Sequence, residues 1–267
     1  MEFSIHLGWW DAALLLAVTG QATAIAYLRH PRWKVLMLSL PVPFTLACLA
    51  LGRPVGAAHA GGVTLIILYT HAVRLLHYNL RMPIVAAIAI ATIAYCLIAM
   101  TLAPVLPTTA VAFWTAAGVA FALALAMLLR TAARDEPGHR TPLPLWIKLP
   151  IIGAVISLLV LGKELFSGFM TMFPMVLIVG TYEARYSLWA VCRQIPAMMV
   201  AAIPMMCAAR LTQDALGLGW ALAIGWVVFL AVLGPLSWRM WFAAPRGTAG
   251  GWAPRAAPAA GPTLRPR

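Results

Sequence analysis

The chain has 267 residues, of which 63% are hydrophobic and only 10% are charged, and its mean hydropathy is +0.90. Soluble globular domains carry about 25% charged residues and about 45–50% apolar ones. The composition therefore excludes a soluble globular domain, a disordered chain and a coiled coil. It predicts an all-α polytopic membrane protein whose main partner is the lipid bilayer. Spanning β-strands are not predicted, because the sequence lacks the alternating pattern of a barrel.

The charge excess is large, with 19 Lys+Arg against 7 Asp+Glu and a formal net charge of +12. In a soluble protein this excess would suggest a nucleic-acid partner. Here the cations lie in short segments between apolar runs, so no nucleic-acid partner is predicted. The four cysteines are widely spaced and form no C-x-x-C motif, which argues against a disulfide framework or a zinc site. No cofactor or metal is predicted.

A membrane-spanning helix needs about 20 mainly apolar residues. Nine such runs follow one another along the chain, with boundaries good to about four residues: 9–28, 33–52, 57–80, 83–104, 109–130, 146–162, 166–190, 194–212 and 216–241. Pro204 is expected to break the eighth run. Pro174 with Gly180 predicts that the seventh span is discontinuous near the membrane midplane.

The distribution of cations predicts the orientation of these spans. With the N-terminus outside, sixteen of the nineteen Lys and Arg residues fall on the cytoplasmic side. Only Arg53, Lys163 and Arg210 fall outside. Cytoplasmic loops of membrane proteins carry the excess of Lys and Arg. The pattern therefore predicts an outer N-terminus and a cytoplasmic C-terminus.

Two halves of the chain share a weak pattern, which predicts two parallel four-helix repeats, 31–130 and 146–242. The segment 131–145 is interpreted as a cytoplasmic linker, and 1–30 as an extra N-terminal transmembrane helix. The segment 243–267 is rich in Pro, Gly, Ala and Arg and is expected to be a disordered cytoplasmic tail. Three positions in the third span match three in the seventh at a constant separation of 111 residues: Thr70, Arg74 and Tyr78 match Thr181, Arg185 and Trp189.

A segment of the second half, about residues 160–205, resembles the GlpM-like family of small bacterial inner-membrane proteins. It reads GKELFSGFMTMFPMVLIVGTYEARYSLWAVCRQIPAMMVAAIP. The first half departs from this motif, since Arg53 stands in place of the lysine. The resemblance implies a bacterial inner-membrane protein connected with the cell envelope. In that membrane, the outer N-terminus that the cations predict is periplasmic. The features shared with the family are Lys163 at the start of a span, Gly168, and the pair Phe173-Pro174.

Charged residues inside spans or at their ends are the candidate substrate-binding residues, since a charge at the bilayer centre costs about 2.5–3.5 kcal/mol on insertion scales. Arg53 and Lys163 occupy equivalent outer positions, where they would attract a small anionic solute or a lipid head group. The alternative for both is snorkelling to the outer interface. Glu183, with Arg74 and Arg185, is expected to gate or couple transport at the cytoplasmic side. No residue is predicted to be catalytic.

These features favour an inner-membrane permease-like protein that handles a small anionic solute or a cell-envelope lipid or glycan precursor. One alternative is a non-catalytic membrane assembly factor for envelope polysaccharide synthesis. Another is an intramembrane lipid-modifying enzyme, although no motif of an enzyme is present. The methionines of the seventh and eighth spans, with Cys207, would also suit a Cu(I) path, although such residues more often fill cores. The sequence does not predict an oligomeric state.

Overall fold

The computed structural model describes residues 8–28, 30–132 and 171–242, together with the isolated positions 150, 153 and 169. All regular structure within these residues is helical, and a π-helical turn, Leu75–Asn79, extends the fourth helix. The helices in chain order are α1 Trp9–Tyr27, α2 Pro31–Ser39, α3 Val42–Leu51, α4 Ala57–Arg74, α5 Ile84–Leu102, α6 Ala110–Arg130, α7 Met175–Glu183, α8 Leu188–Leu216 and α9 Leu218–Met240.

Five of the described helices are long and apolar enough to cross a membrane, namely α4 with its π-helical turn, α5, α6, α8 and α9. Each of them coincides with a span that the sequence predicts. Helix α1 has 19 residues but contains the polar Asp11 and Gln21, and it is less apolar than these five. The protein is therefore a multi-pass helical membrane protein, as the composition predicted.

The prediction of nine full-length spans is wrong in two places. The run 33–52 forms two short helices, α2 and α3, which are interrupted at Pro41. The run 166–190 contains α7, which has only nine residues and begins after Pro174. Proline has no backbone N–H and its ring clashes with the preceding helical turn, so both breaks have the same cause. The predicted sixth span, 146–162, lies outside the described residues apart from two isolated positions.

The predicted break at Pro204 is also wrong, since α8 continues through Pro196 and Pro204 and ends at Gly217. More than half of the α8 span is buried, so packing against neighbouring helices can hold a proline-containing helix together. Gly217 has φ 78° and ψ 162°, a conformation that is essentially restricted to glycine. The chain reverses there, and Gly225 of α9 packs directly against Met205 of α8.

Helices α4 and α8 run antiparallel through the centre of the bundle. The Gln213 Oε1 atom accepts a hydrogen bond from the Val55 N–H at 2.8 Å, just before α4 begins. At the other end of α4, the Tyr78 hydroxyl donates to the Arg185 carbonyl oxygen at 3.1 Å. More than half of each of these two spans is buried, against less than a third of α5, α6 and α9. The latter three helices therefore supply most of the surface that faces lipid.

The two ends of the bundle differ in charge. Helices α2 and α8 begin at one end of the bundle, and α4 and α6 finish there. Trp189 closes part of this end, and its Nε1 donates to the Ala132 carbonyl oxygen at 2.8 Å. Arg53 and the turn at Gly217 lie at the opposite end. The helix directions alternate as the charge pattern predicted, while the membrane side of each end stays a prediction. We call the first end the cationic end and define it by Lys34, Arg74 and Arg185.

The proposed repeat is not evident in the helix boundaries. Thr70 and Arg74 lie inside the continuous helix α4. Their counterparts in the second half do not share one continuous helix. Thr181 lies near the end of α7, and Arg185 lies in the turn that follows α7. The order of directions nevertheless agrees, since α4, α5 and α6 run in the same senses as α7, α8 and α9.

Gly62 allows α4 to pack closely against the residues that precede α7. A Cβ atom at Gly62 would lie 2.6 Å from the Met172 Cβ, which is fixed to its backbone. Overpacking of this kind costs about 1–3 kcal/mol. We expect Gly62→Ala to lower the thermal unfolding midpoint of the purified protein by several degrees. Gly118→Ala is the matched control, because α6 leaves open space at that position. Equal midpoints for the two variants would contradict this account of the packing.

Candidate functional site

The two discontinuous spans meet at one pocket inside the bundle. Helices α2 and α3 are separated by Leu40 and Pro41, and α7 begins directly after Phe173 and Pro174. All four of these residues line the same pocket. Irregular backbone at membrane depth is tolerated only where it is buried in protein or lines a cavity. The pocket therefore explains why irregular backbone can occur before α3 and before α7, because both irregular segments line it.

The pocket is strongly apolar. It has a volume of about 60 Å³ and is lined by sixteen apolar residues and Thr171. None of these lining residues is charged. Methionine side chains are unbranched and adapt to irregular shapes, so such a lining can fit ligands of different outlines. Five of the lining residues are Met172, Met175, Met198, Met205 and Met206.

Two amide side chains support the break between α2 and α3. The Gln21 Nε2 of α1 donates to the carbonyl oxygens of Met37 at 2.7 Å and Leu40 at 3.3 Å. The Gln194 Nε2 of α8 donates to the Ser39 Oγ at 3.0 Å. These bonds satisfy groups that a membrane interior would otherwise leave without partners. Within the described part of the chain, the buried Gln21 Oε1 has no hydrogen-bond partner. An unused hydrogen-bond acceptor therefore lies beside the break between α2 and α3.

The short helices α2 and α7 lie side by side, in opposite directions, between the pocket and the cationic end. Each has nine residues, which gives about 13 Å at the helical rise and under half of a hydrocarbon core about 30 Å thick. Leu38 of α2 packs against Gly180 of α7, where a Cβ atom would lie 2.5 Å from the Leu38 Cδ1. Glycine therefore lets the Leu38 side chain of α2 pack directly against α7.

The half-helices also carry a buried pair of charged residues. Lys34 and Glu183 are each 3% exposed, and the Lys34 Nζ donates to the Glu183 carbonyl oxygen at 3.3 Å. That carbonyl belongs to the last residue of α7, so the ammonium group also complements the negative end of the helix dipole. Burial of charged groups is costly unless they have partners. The pair therefore marks the junction between α2 and α7 at the cationic end.

Aromatic rings hold two arginines at the same end. The Arg74 guanidinium lies 4.3 Å from the Trp189 ring centroid. The Arg185 guanidinium lies 4.9 Å from the Tyr182 ring and 5.0 Å from the Tyr186 ring, and its Nη1 donates to the Tyr182 carbonyl at 3.1 Å. Cation–π contacts of this kind contribute about 0.5–2 kcal/mol. They restrain both guanidinium groups at the cationic end.

The structure places three of the five predicted substrate-binding residues at the cationic end, namely Glu183, Arg74 and Arg185. Arg53 lies exposed at the opposite end. The Gln213 amide fixes the loop that contains Arg53, because it pairs with both the N–H and the carbonyl of Val55, at 2.8 and 3.3 Å. Lys163 lies outside the described residues, so its equivalence with Arg53 stays a prediction.

The sequence analysis missed three residues that the structure places near the pocket or the half-helices. Gln21 and Gln194 are polar side chains within apolar runs, and such residues are functional candidates by default in a membrane. Lys34 was counted only as a loop cation, although it is buried. Among the described residues, His, Cys, Asp and Glu side chains form no group of three that could hold a metal ion.

No family model matches the chain, and no curated protein or solved structure is similar to it. The fold alone therefore defines the class, which is a multi-pass helical membrane protein with five helices long and apolar enough to cross a membrane among the described residues. The resemblance to the GlpM-like family stays a prediction.

Proposed function

We propose that this chain is an inner-membrane permease-like protein. It moves a small anionic solute or a cell-envelope lipid or glycan precursor through the pocket between its discontinuous spans. The observation that carries the proposal is the meeting of two proline-initiated helix breaks at one pocket. Transporters commonly bind their substrates near the membrane midplane, between discontinuous helices.

In this proposal, α2 and α7 form the gate at the cationic end. Separation of the two half-helices disrupts one leucine–glycine contact and the Lys34–Glu183 contact, and it connects the pocket with the cationic end. Arg74 and Arg185 raise the local concentration of an anionic substrate there, as clustered charges of one sign do. Glu183 moves with α7 and couples gate opening to the charge state of the site.

Contacts between the two halves support a duplicated unit with an axis along the membrane normal. Gly62 packs against Met172, and the Tyr69 hydroxyl faces the Thr181 hydroxyl. These pairs are separated by 110 and 112 residues, close to the shift of 111 that relates the two halves. A parallel repeat places equivalent positions face to face along its axis. Two further contacts lie on either side of this shift, at separations of 115 and 107 residues: Arg74 with Trp189, and Tyr78 with Arg185.

The proposed orientation places the cationic end in the cytoplasm and the N-terminus in the periplasm. Arg53 then lies on the periplasmic side, where it would attract an anion before the substrate enters. Lys163 is proposed to act with it from the second repeat. Exchange of both residues for Gln tests this step, and an unchanged rate of uptake would remove the pair from the mechanism.

Transport by the pure protein tests the proposal. Vesicles containing the protein are compared with empty vesicles for flux of phosphate, of a short carboxylate and of a fluorescent anionic lipid. We expect protein-dependent movement of at least one of them, and a slower rate for Glu183→Gln. Arg130→Gln is the control, since Arg130 is exposed at the end of α6. Movement of none would favour an assembly factor, and chemical conversion of the lipid would favour an enzyme.

A soft-metal path is the second candidate, and the five methionines that line the pocket favour it. Thioether sulfur is a preferred ligand of Cu(I). Silver(I) is a redox-stable probe with similar preferences. If metal is the substrate, silver binds the pure protein with a stoichiometry near one, and Met175→Leu weakens the binding. Absence of binding would remove this candidate and leave the anion proposal intact.

A further inference from the structure

Three hydroxyl groups face one another inside the bundle, where α4, α5 and α7 come together. The Tyr69 hydroxyl of α4 faces the hydroxyls of Thr92 on α5 and Thr181 on α7. All three oxygen atoms are buried, and none of them completes a hydrogen bond within the described part of the chain. We call this group the hydroxyl cluster. Because buried polar groups are nearly always hydrogen-bonded, three that converge on one place indicate a site for a hydrogen-bonding ligand.

The two threonines of the cluster differ from a neighbouring threonine of α4. Threonine hydroxyls inside helices can donate to a carbonyl oxygen of the preceding turn. Thr70 does so, with two such oxygen atoms at 2.9 and 3.2 Å. Thr92 and Thr181 complete no bond of this kind within the described residues. Their hydroxyls therefore remain turned toward the centre of the cluster instead of toward their own helices.

The hydroxyl cluster lies next to the apolar pocket. Ile66 of α4 and Leu177 of α7 line the pocket. Tyr69 follows Ile66 by three residues and Thr181 follows Leu177 by four, so each pair shares one helix face. These separations correspond to about 5–6 Å along the helices. A ligand whose apolar part lies in the pocket can therefore reach the cluster with an adjoining polar group.

The surroundings of the cluster favour an uncharged polar group. Thr181 lies in the last turn of α7, where the negative end of the helix dipole disfavours an anion. The Lys34 ammonium group already contacts the last carbonyl of this helix, at Glu183, and its charge disfavours a second cation. Hydroxyl groups can both donate and accept hydrogen bonds. The best complement to three of them is a group with the same two capacities.

We propose that the substrate is a lipid that carries a hydroxyl group on a hydrocarbon chain. The first part of the chain lies in the pocket, and the ligand hydroxyl exchanges hydrogen bonds with Tyr69, Thr92 and Thr181. The apolar lining, with its five methionines, adapts to the shape of the chain. The inference rests on the proposed transport function and selects a lipid from its substrate classes.

Binding to the full-length protein in phosphatidylcholine nanodiscs tests the inference independently of flux. Three probes with the same chain are compared by the thermal unfolding midpoint: farnesol, farnesene, which lacks the hydroxyl, and farnesyl phosphate. We expect a saturable rise of several degrees with farnesol and a smaller rise with the other two. An equal rise with farnesene would show that the chain is sufficient. An equal or larger rise with farnesyl phosphate would show that the site prefers a charge. Either result, or no rise with any probe, would overturn the inference.

Variants that remove single hydroxyls locate the polar part of the site. Tyr69→Phe and Thr181→Val should each weaken the apparent affinity for farnesol about three- to tenfold, which corresponds to the loss of one neutral hydrogen bond. Binding of farnesene should not change. Thr70→Val is the matched control, because the Thr70 hydroxyl bonds to its own helix, and it should bind farnesol as the unmodified chain does. Unchanged farnesol affinity in both cluster variants, or an equal loss in Thr70→Val, would overturn the assignment.

A pocket variant locates the chain of the ligand. Ala202→Leu should fill part of the pocket and weaken the binding of farnesol and farnesene alike, with Ala202→Val as a milder filler if the larger side chain prevents folding. Unchanged affinity in the pocket variants would show that the chain lies elsewhere and would contradict the proposal.

The two proposals fail separately. Flux of phosphate or of the short carboxylate without preferential binding of farnesol would leave the transport function standing and remove the lipid substrate. Preferential binding of farnesol without movement of any anion or lipid would leave the binding site standing and remove transport.

Discussion

A disulfide between positions 38 and 180 is expected to stop transport completely. Leu38 and Gly180 bring α2 and α7 into contact, and the Leu38 Cγ lies 3.7 Å from the Cβ position of Gly180. A cysteine Sγ at position 38 would lie near the present Leu38 Cγ, so the sulfur could approach the side chain of a cysteine at position 180 closely enough for a disulfide to form. If the half-helices must separate to open the pocket, oxidation of Leu38→Cys/Gly180→Cys abolishes flux and a reductant restores it.

The cross-linking experiment requires a background without native cysteines, in which Cys48, Cys96, Cys192 and Cys207 are replaced by Ala. The double variant kept reduced, and Leu38→Cys alone treated with the same oxidant, are the matched controls and should keep their flux. Full activity of the oxidised double variant, with the disulfide verified by mass spectrometry, would show that α2 and α7 do not form the gate.

Loss of the buried ammonium group at Lys34 is expected to have the largest effect on stability. Lys34→Met removes the hydrogen bond to the Glu183 carbonyl and takes a buried positive charge away from a junction where Glu183 is also buried. Removal of one partner from a buried charged pair typically costs about 3–5 kcal/mol. We expect a large fall in the free energy of unfolding in detergent and a low yield of folded protein.

A second exchange in the same protein identifies the cause. Lys34→Met/Glu183→Gln should recover a large part of the lost stability, because the buried site then carries neither charge. Arg130→Gln, which removes an exposed cation from the same end, should change little. A double variant that is as unstable as Lys34→Met would show that charge balance at Glu183 does not explain the loss.

Much of the helical framework could be predicted from hydropathy. The spans 57–80, 83–104 and 109–130 agree with α4, α5 and α6 to within a few residues. These runs are almost entirely apolar and end at Pro, Gly or charged residues, so local composition alone determines their limits. The cation count also predicted the alternation of helix directions, because each short connection must return the chain to the next span.

Discontinuities were predicted less reliably, because proline has context-dependent effects. Pro174 directly precedes α7, whereas Gly180, which was expected to take part in the same break, lies inside this helix. Pro41 interrupts α2 and α3 although the run 33–52 has the length of a single span. Pro204 does not interrupt α8, since buried packing on several sides maintains the helix. Tertiary contacts decide these outcomes, and a hydropathy window contains no information about them.

The candidate site was only partly accessible to sequence reasoning. Glu183, Arg74 and Arg185 were identified as charges at span ends, and the structure places them at one end of the bundle. The pocket itself depends on residues far apart in the chain, with Leu40 near one break and Met175 near the other. Their proximity follows from the packing of α2 against α7, which no local pattern encodes.

The most direct test of the central claim is the accessibility of the pocket from both sides of the membrane. Ala202 lines the pocket, and Ala197 is buried on the same helix but does not line it. In the cysteine-free background, a membrane-impermeant thiol reagent should label Ala202→Cys from the cytoplasm and, separately, from the periplasm, whereas Ala197→Cys should stay unlabelled. Labelling of Ala202→Cys from neither side, or from one side only, would contradict an alternating path through the two helix breaks.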